Sequence, residues 1–191
     1  MRDNKHFFTA KANKNDEFYT QLHEIENELK YYSSYLKDKI VYCNCDSPKY
    51  SNFWKYFYNN FHILGLKGLV STYLDNEQSY KTTYDGKTVK QKKLVGNGDF
   101  RSEECIDTLK ECDIVITNPP FSLIRPFFDL LVENNKQFLF IGTINAVKYL
   151  NVFKEIKQNK VWTGKTHPAN FIKPDGSIYQ IRNTIWITNI G

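Results

Sequence analysis

The fold class of this chain can be inferred from one stretch in which an apolar run gives way to two prolines, Asp113-Ile114-Val115-Ile116-Thr117-Asn118-Pro119-Pro120-Phe121. Ile114 to Ile116 are apolar and β-branched, which is typical of a buried strand. Two consecutive prolines then prevent both a longer strand and an immediate helix, because each fixes φ and lacks an N–H. The pattern predicts a rigid lip over residues 118–121, at the carboxyl end of a strand, where open α/β sheets bind ligands.

Candidate helices and strands alternate on either side of this lip. The periodicity predicts helices over about 21–37, 51–63, 102–111, through Phe127 to Leu131, and over about 146–157. Strands are predicted at Ile40 to Cys45, Gly68 to Leu74, Ile114 to Ile116 and Phe138 to Ile141, with a short one reaching Gly96 to Phe100. The alternation predicts an α/β fold with a mostly parallel sheet that is covered on both faces.

Two further segments carry turn signals. Tyr84-Asp85-Gly86-Lys87 predicts a hairpin, and five lysines accompany it: Lys81, Lys87, Lys90, Lys92 and Lys93. Such a basic hairpin is either simply solvated or in contact with phosphate. An antiparallel pair around Pro174-Asp175-Gly176-Ser177, ending in Thr184 to Thr188, predicts a C-terminal antiparallel hairpin at the edge of the sheet.

Composition limits the classes of protein to which the chain can belong. With 191 residues, 41% hydrophobic and 25% charged, it is expected to form one globular domain, residues 16–191, after a flexible basic arm over residues 1–15. The net charge of +5 and pI near 8.9 permit a polyanionic partner. No apolar run reaches membrane-spanning length and no signal peptide is evident, so a cytoplasmic protein without membrane contact is expected.

The four cysteines, Cys43, Cys45, Cys105 and Cys112, do not form a recognisable metal-binding pattern. Cys43 and Cys45 alternate within a strand, and no Cys-x-x-Cys or His pair completes a set of ligands. We therefore expect reduced, structural thiols and no bound metal.

The residue types in the lip suit methyl transfer to a planar amine. The lone pair of an exocyclic amine is delocalised into its ring, so the nitrogen is a poor nucleophile. The side-chain oxygen of Asn118 and the backbone oxygen of Pro119 can accept its two hydrogens and aim the lone pair at a methyl group. Asn is not a strong base, so catalysis would rest on positioning and electrostatics. Pro120 stiffens the lip, and Phe121 offers a face for stacking on a base that has left the duplex.

Polar groups at neighbouring strand ends suit a methyl donor that carries a nucleoside and an amino-acid tail. Asn44, Cys45 and Asp46 follow the first strand and are expected to hold the amino-acid part. Asp75 ends the second strand and can accept hydrogen bonds from ribose hydroxyls. Asp99 and Phe100 end the third, with a carboxylate for an adenine amino group and a ring to stack on it.

Four blocks in series resemble the EcoRI-type adenine-specific DNA methyltransferases. They are Asp16-Glu17-Phe18-Tyr19-Thr20-Gln21, Val41-Tyr42-Cys43-Asn44-Cys45-Asp46, Gly98-Asp99-Phe100-Arg101-Ser102 and Thr117-Asn118-Pro119-Pro120-Phe121-Ser122. The resemblance implies a Rossmann-like class I methyltransferase fold, S-adenosylmethionine as donor and the N6 of a flipped adenine as acceptor. It implies that Phe18, Tyr19 and Thr20 lie against the methionine part of the donor, and that Asn118 to Phe121 surround the adenine.

The resemblance also bears on partners and domain content. It implies double-stranded DNA as substrate and a restriction endonuclease as counterpart. Family members usually continue beyond the strand at Trp186 into sequence-reading segments, so this chain is expected to lack a C-terminal target-recognition region. Two alternatives stay open: an amino-methyltransferase acting on RNA or on a protein glutamine, and a catalytically silent nucleic-acid-binding module.

Overall fold

The structure is a computed structural model and describes residues 19–173 and 175–191. Its helices are α1 (Leu22–Leu29), α2 (Asn52–Asn59), α3 (Glu103–Glu111), α4 (Ile124–Glu133) and α5 (Leu150–Lys157). Its strands are β1 (Tyr19–Thr20), β2 (Ile40–Asn44), β3 (Gly68–Asp75), β4 (Gln78–Tyr84), β5 (Val89–Lys93), β6 (Ile114–Thr117), β7 (Gln137–Thr143), β8 (Trp162–Thr163), β9 (Asn170–Ile172), β10 (Ile178–Gln180) and β11 (Thr184–Thr188). The arm predicted over residues 1–15 lies outside the described residues.

An eight-stranded sheet forms the centre of the fold, with the order β5-β4-β3-β2-β6-β7-β11-β8. The middle four strands, β3, β2, β6 and β7, are parallel. The strands on either flank are antiparallel. The prediction of an α/β fold with a parallel sheet is therefore confirmed for the central strands. In the part of the chain that the structure describes, no helix has both the length and the apolar composition needed to cross a bilayer.

Each face of the sheet is covered by helices, because successive side chains of a buried strand point to opposite sides. In β6, Ile114 and Ile116 belong to the apolar cluster that also contains Leu29 of α1 and Phe57 of α2. Val115, between them, belongs to the opposite cluster with residues of α3, α4 and α5. The continuous apolar run of β6 thus reflects burial on both faces.

The prediction of a short strand reaching Gly96 to Phe100 is wrong. Residues 96–100 form a loop, and the chain instead returns antiparallel from β3 through β4 to β5. Asn76 and Glu77 make the first reversal with φ values of 47° and 67°, a left-handed pair that suits a two-residue hairpin. The second reversal is the hairpin predicted after Tyr84. Asp99 therefore does not end a parallel strand but lies in the loop after β5.

The C-terminal hairpin is formed but is not an edge of the main sheet. β9 and β10 pair on either side of residues 173–177 and join β1 in a separate three-stranded sheet. Pro174 lies outside the described residues. The antiparallel strand β11 pairs instead with β7 and β8. The helix expected over residues 21–37 is also shorter, ending at Leu29 before a short 3-10 turn at Ser33–Tyr35, because serines compete with the backbone for helical hydrogen bonds.

Candidate active site

The carboxyl ends of β2 and β6 lie side by side at the point where the strand order reverses. The chain passes from β2 to β3 on one side of β2, and β6 then pairs with its other side. Open α/β sheets bind ligands outside the strand ends at such a point. The residues predicted from sequence to hold a donor and an acceptor follow these two strands.

Asp46 joins the segment after β2 to the end of β6. Its Oδ2 accepts a hydrogen bond from the Thr117 hydroxyl at 2.6 Å, and its Oδ1 accepts one from the Ser51 hydroxyl at 2.7 Å. Ser51 is the N-cap of α2, and its oxygen accepts from the amides of Phe53 and Trp54. The nearly buried carboxylate of Asp46 therefore joins the ends of two strands and the start of one helix.

Asn44 and Cys45 turn the chain out of β2. The Asn44 side-chain oxygen accepts a hydrogen bond from the Thr72 hydroxyl at 3.2 Å, and Thr72 is 2.6 Å from the hydroxyl of Tyr42. Cys45 has a φ of 66°, and its amide donates to the Thr72 carbonyl at 2.9 Å. This left-handed turn ends the strand in place of the glycine-rich turn that is common after a first strand.

β6 ends at Thr117 as predicted, and the lip that follows it ends at Phe121, the first residue of a 3-10 turn over Phe121–Leu123. Pro119 is buried and Asn118 is partly exposed, although the side-chain oxygen of Asn118 is itself buried. The Leu123 amide donates to the Pro120 carbonyl at 2.9 Å, which holds the turn closed. Phe121 is partly buried and packs against the apolar clusters on both sides of the sheet.

Asp75, at the end of β3, is paired with a cation that the sequence did not single out. Lys49, in the loop between β2 and α2, places its Nζ 2.6 Å from Asp75 Oδ2. The hydrogen bond and charge of Asp75 raise the pKa of Lys49 above its ordinary value. The Asp75 side chain is 23% exposed, so the carboxylate remains accessible from solvent.

Asp99 lies at the same edge, in the loop between β5 and α3. Gly98 before it has a φ of 71°, and a Cβ there would lie 2.8 Å from the Cβ of Ser79, so only glycine fits. The Asp99 carboxylate accepts hydrogen bonds from the Arg101 guanidinium at 2.8 and 2.6 Å, which raise the pKa of Arg101. Phe100 is 2% exposed and the Arg101 guanidinium carbon lies 5.1 Å from its ring centroid. The Phe100 ring is therefore buried, with the Arg101 guanidinium over it and the ring of Phe127 at its edge.

Tyr19 and Thr20 form β1 and lie beside the segment after β2. The Thr20 carbonyl accepts a hydrogen bond from Asn52 at 2.8 Å, and the Tyr19 ring is 6.4 Å from that of Tyr50. The Thr20 hydroxyl oxygen is buried and has no hydrogen-bond partner among the described residues. A buried hydroxyl without a partner is destabilising unless a ligand or water satisfies it. Phe18 lies outside the described residues.

The structure therefore brings most of the predicted residues to one edge of the sheet, although their roles there stay predictions. It adds Thr117, Ser51, Lys49 and Arg101, which sequence reasoning missed as site residues. Ser51 could have been found, because a serine directly before a helical apolar pattern is an N-cap signal. Thr117 and Lys49 carry no such signal, since their partners are distant in sequence.

The chemistry of this edge does not suggest a metal centre. Within residues 19–173 and 175–191, no group of three or more His, Cys, Asp or Glu side chains is arranged to hold a metal ion. Cys43, Cys105 and Cys112 are buried free thiols. Burial raises the pKa of Cys43 and raises that of Cys112 to about 12, so both are held as thiols at neutral pH.

Comparison with known proteins gives a family match over residues 6–191, to the model described as adenine-specific methyltransferase EcoRI. The chain is 42% identical to the type II methyltransferase M.EcoRI of Escherichia coli, with 98% of this chain and 69% of the relative covered. It is 42% identical to M.MgeORF184P of Mycoplasma genitalium and 41% identical to M.MpnI of Mycoplasma pneumoniae, both named type II methyltransferases. Each of these alignments covers 97% of this chain and 65% of the relative. The chain thus spans about two thirds of the length of these relatives. No solved structure matches.

Proposed function

Because the chain belongs to the EcoRI family of adenine-specific methyltransferases, we propose that it methylates the N6 amine of adenine in double-stranded DNA. The donor would be S-adenosylmethionine, and the adenine would be flipped out of the duplex to reach the site. All three relatives described above are named type II methyltransferases, which favours this function over the RNA, protein and catalytically silent alternatives. A restriction endonuclease counterpart and a cytoplasmic location are part of the same proposal. The type II names of the relatives support the counterpart, and the proposed DNA substrate supports the location.

One observation carries the proposal: the lip and the proposed donor segment are joined by the hydrogen bond from Thr117 to Asp46. Thr117 directly precedes Asn118, and Asp46 ends the segment assigned to the amino-acid part of the donor. Methyl transfer needs the acceptor nitrogen and the methyl group in line at close range. A direct bond between the two binding segments holds them in one relative position.

The residues of the lip would act by positioning. The Asn118 side-chain oxygen and the Pro119 carbonyl would accept the two N6 hydrogens, which favours a pyramidal nitrogen whose lone pair is free to attack. Pro119 and Pro120 restrict the backbone, so the two acceptors are preorganised. The ring of Phe121 would stack on the flipped base. The N6 proton would leave to solvent, since Asn118 is not a base.

The residues present fit S-adenosylmethionine, which when bound supplies an electrophilic methyl group on a sulfonium. The buried Thr20 hydroxyl lacks a partner among the described residues and would gain one from the amino-acid part of the donor. Asp75 would accept from the ribose hydroxyls and Asp99 from the adenine amino group, each in exchange for part of its present bond to Lys49 or Arg101. Phe100 would act beneath Arg101, as support for the adenine pocket.

The topology supports the finer fold assignment that we propose, a Rossmann-like class I methyltransferase fold. Four parallel strands, with the order of the chain reversing between β2 and β6, match the arrangement expected of a doubly wound sheet. An antiparallel β11 lies between β7 and β8 on the other flank.

Transfer of a labelled methyl group from S-adenosylmethionine to duplex DNA tests the proposed function. Label should appear as N6-methyladenine, and duplexes made without adenine should receive none. Equal labelling of RNA or of a glutamine-containing protein would contradict the proposal.

A further inference from the structure

Two carboxylates of α1 face inward and hold a distant segment of the chain. Glu24 is 7% exposed and Glu28 is fully buried, one helical turn apart on the same face. Both accept hydrogen bonds from residues 164–170, which we call the strap. The strap leads from β8 to β9. Glu26, between the two acids, is exposed on the opposite side of the helix.

Glu28 is bound at four points. Its Oε1 accepts from the Tyr32 hydroxyl at 3.0 Å and from the Lys165 amide at 2.8 Å. Its Oε2 accepts from the Thr166 amide at 2.7 Å and from the Thr166 hydroxyl at 2.6 Å. An ionised carboxylate without partners is strongly disfavoured in a protein interior. The strap supplies three of these four donors, so the buried carboxylate and the strap depend on each other.

Glu24 holds the other end of the strap. Its Oε1 accepts from the amides of Ala169 and Asn170 at 3.2 and 3.0 Å, and from the Asn170 side chain at 2.9 Å. His23 is its neighbour on the exposed side, with Nε2 3.5 Å from the same oxygen. Both ends of the strap are thus bound to one helix.

The start of the strap is closely packed. The Gly164 amide donates to the Trp186 carbonyl at 2.9 Å. A Cβ at Gly164 would collide with the Glu28 carboxylate and would lie 2.6 Å from the Cβ of Trp186. Only glycine lets the strap approach Glu28 closely enough for its amides to reach the carboxylate.

The strap ends in β9, and β9 is the strand to which β1 pairs. Thr20 pairs with Phe171, and Tyr19 pairs with Ile172. A two-residue strand is too short to be stable alone, and β1 is followed directly by α1. α1 therefore holds the strap, the strap leads into β9, and β9 pairs with β1, which contains Tyr19 and Thr20, the residues proposed to contact the donor.

We infer that Glu24 and Glu28 are positioning residues, which hold Tyr19 and Thr20 in their donor-binding geometry through the strap. Neither acid touches the lip or the other proposed donor residues among the contacts described above. This inference rests on the proposed function in one respect, the assignment of Tyr19 and Thr20 to the donor. If it is correct, the affinity for the donor depends also on α1 and the strap, which are distant from the strand ends.

The test compares Glu28→Gln and Glu24→Gln with Glu26→Gln, a matched change on the same helix. Glutamine keeps the size of the side chain but presents an NH₂ to amide donors, so part of the strap loses its acceptor. We expect the Kd for S-adenosylmethionine, measured by calorimetry, to rise at least about tenfold in the two inward variants, the effect of leaving one buried donor unpaired. Glu26→Gln should match the wild type. At saturating donor, kcat for methyl transfer should stay near that of the wild type, since the lip is unchanged.

A second measurement uses the wild-type chain, in case Glu28→Gln does not fold. Coupling between two sites is reciprocal, so binding of S-adenosylmethionine should slow hydrogen exchange at the amides of Lys165, Thr166, Ala169 and Asn170. Binding without any change at these amides would overturn the inference, as would an unchanged Kd in both inward variants. In both of these outcomes the wild-type chain still binds the donor, so only the inference fails. A wild-type chain that binds no donor would overturn the proposed function as well.

Discussion

Thr117 and Asp46 are 71 residues apart in sequence, and the hydroxyl of one donates to the carboxylate of the other at 2.6 Å. The same hydroxyl hydrogen is shared with the Asn44 carbonyl, and the Ser71 hydroxyl donates to the Asp46 carbonyl. These bonds join the ends of β2 and β6 to each other and to Ser71 within β3, beside the place where the proposed donor and acceptor meet. They give the edge of the sheet a fixed geometry before any ligand binds.

Thr117→Val should therefore lower both stability and methyl transfer. Valine has the same shape but no hydroxyl, so the buried Asp46 carboxylate loses a donor, at a cost of about 1–3 kcal/mol in the free energy of unfolding. Urea unfolding measures the first effect and labelled-methyl transfer the second. Thr117→Ser is the matched control, because it keeps the hydroxyl and should retain most of both. Equal behaviour of the two variants would show that the bond contributes little.

Asn118→Ala should affect chemistry more than donor binding. Its oxygen is one of two proposed acceptors for the adenine amine, whereas the donor lies on the other strand ends. Methyl transfer should fall about a hundredfold or more, as when one preorganised polar partner is removed, while calorimetric affinity for S-adenosylmethionine stays nearly unchanged. Asn118→Asp accepts the same hydrogen bonds and should keep part of the activity. Unchanged turnover in Asn118→Ala would mean that the lip is only a turn.

Asp75→Ala should weaken S-adenosylmethionine binding by about 1–3 kcal/mol, the scale of lost hydrogen bonds to a partly buried partner. Lys49→Met is the informative control, since it removes the same ion pair but leaves the carboxylate available to the ribose. Calorimetry should show weaker binding in the first variant only. Should both variants weaken binding alike, Asp75 would act through its ion pair with Lys49 and not on the donor.

Cys45 should be the cysteine that alkylates first at neutral pH. It is partly exposed, whereas Cys43, Cys105 and Cys112 are buried. Burial raises the pKa of Cys43 and Cys112, so at pH 7 they are almost entirely protonated, and their thiolate becomes abundant only as pH rises toward the raised value. Mass spectrometry after brief iodoacetamide treatment measures the order of labelling. S-adenosylmethionine should slow the labelling of Cys45. If Cys45 is labelled equally fast with and without the donor, Cys45 does not lie in the proposed donor site.

The basic hairpin can be tested for contact with DNA. Lys90 and Lys92 lie on the exposed strand β5 and form no ion pair among the described residues, whereas Lys81 is paired with Glu111 at 2.9 Å. If both contact phosphate, Lys90→Gln with Lys92→Gln should reduce the slope of log affinity against log salt by about 0.9 for each contact. Lys154→Gln with Lys157→Gln, on exposed positions of α5, is the control. A slope equal to that of the wild type would show that these lysines do not contact phosphate. Their role would then be to protect the edge strand β5 from aggregation.

Local signals in the sequence were sufficient for the centre of this fold. The β-branched run before Asn118 and the two prolines after it determine where β6 ends, because steric restriction of φ acts within a few residues. The turn signal after Tyr84 likewise predicted the hairpin between β4 and β5. The residues at the ends of β2 and β6 could be proposed for the same reason, since parallel strands bring their carboxyl ends to one edge.

Tertiary structure alone decided which distant groups meet there. The pairing of β3 with β4 through Asn76 and Glu77, and of β4 with β5, places Asp99 in a loop after β5 and not at the end of a parallel strand. The bonds from Thr117 to Asp46, from Lys49 to Asp75 and from the strap to Glu28 join residues far apart in the chain. Side chains of the same type at other positions would look identical in sequence, because a hydrogen bond depends on distance and direction in space and has no local periodicity.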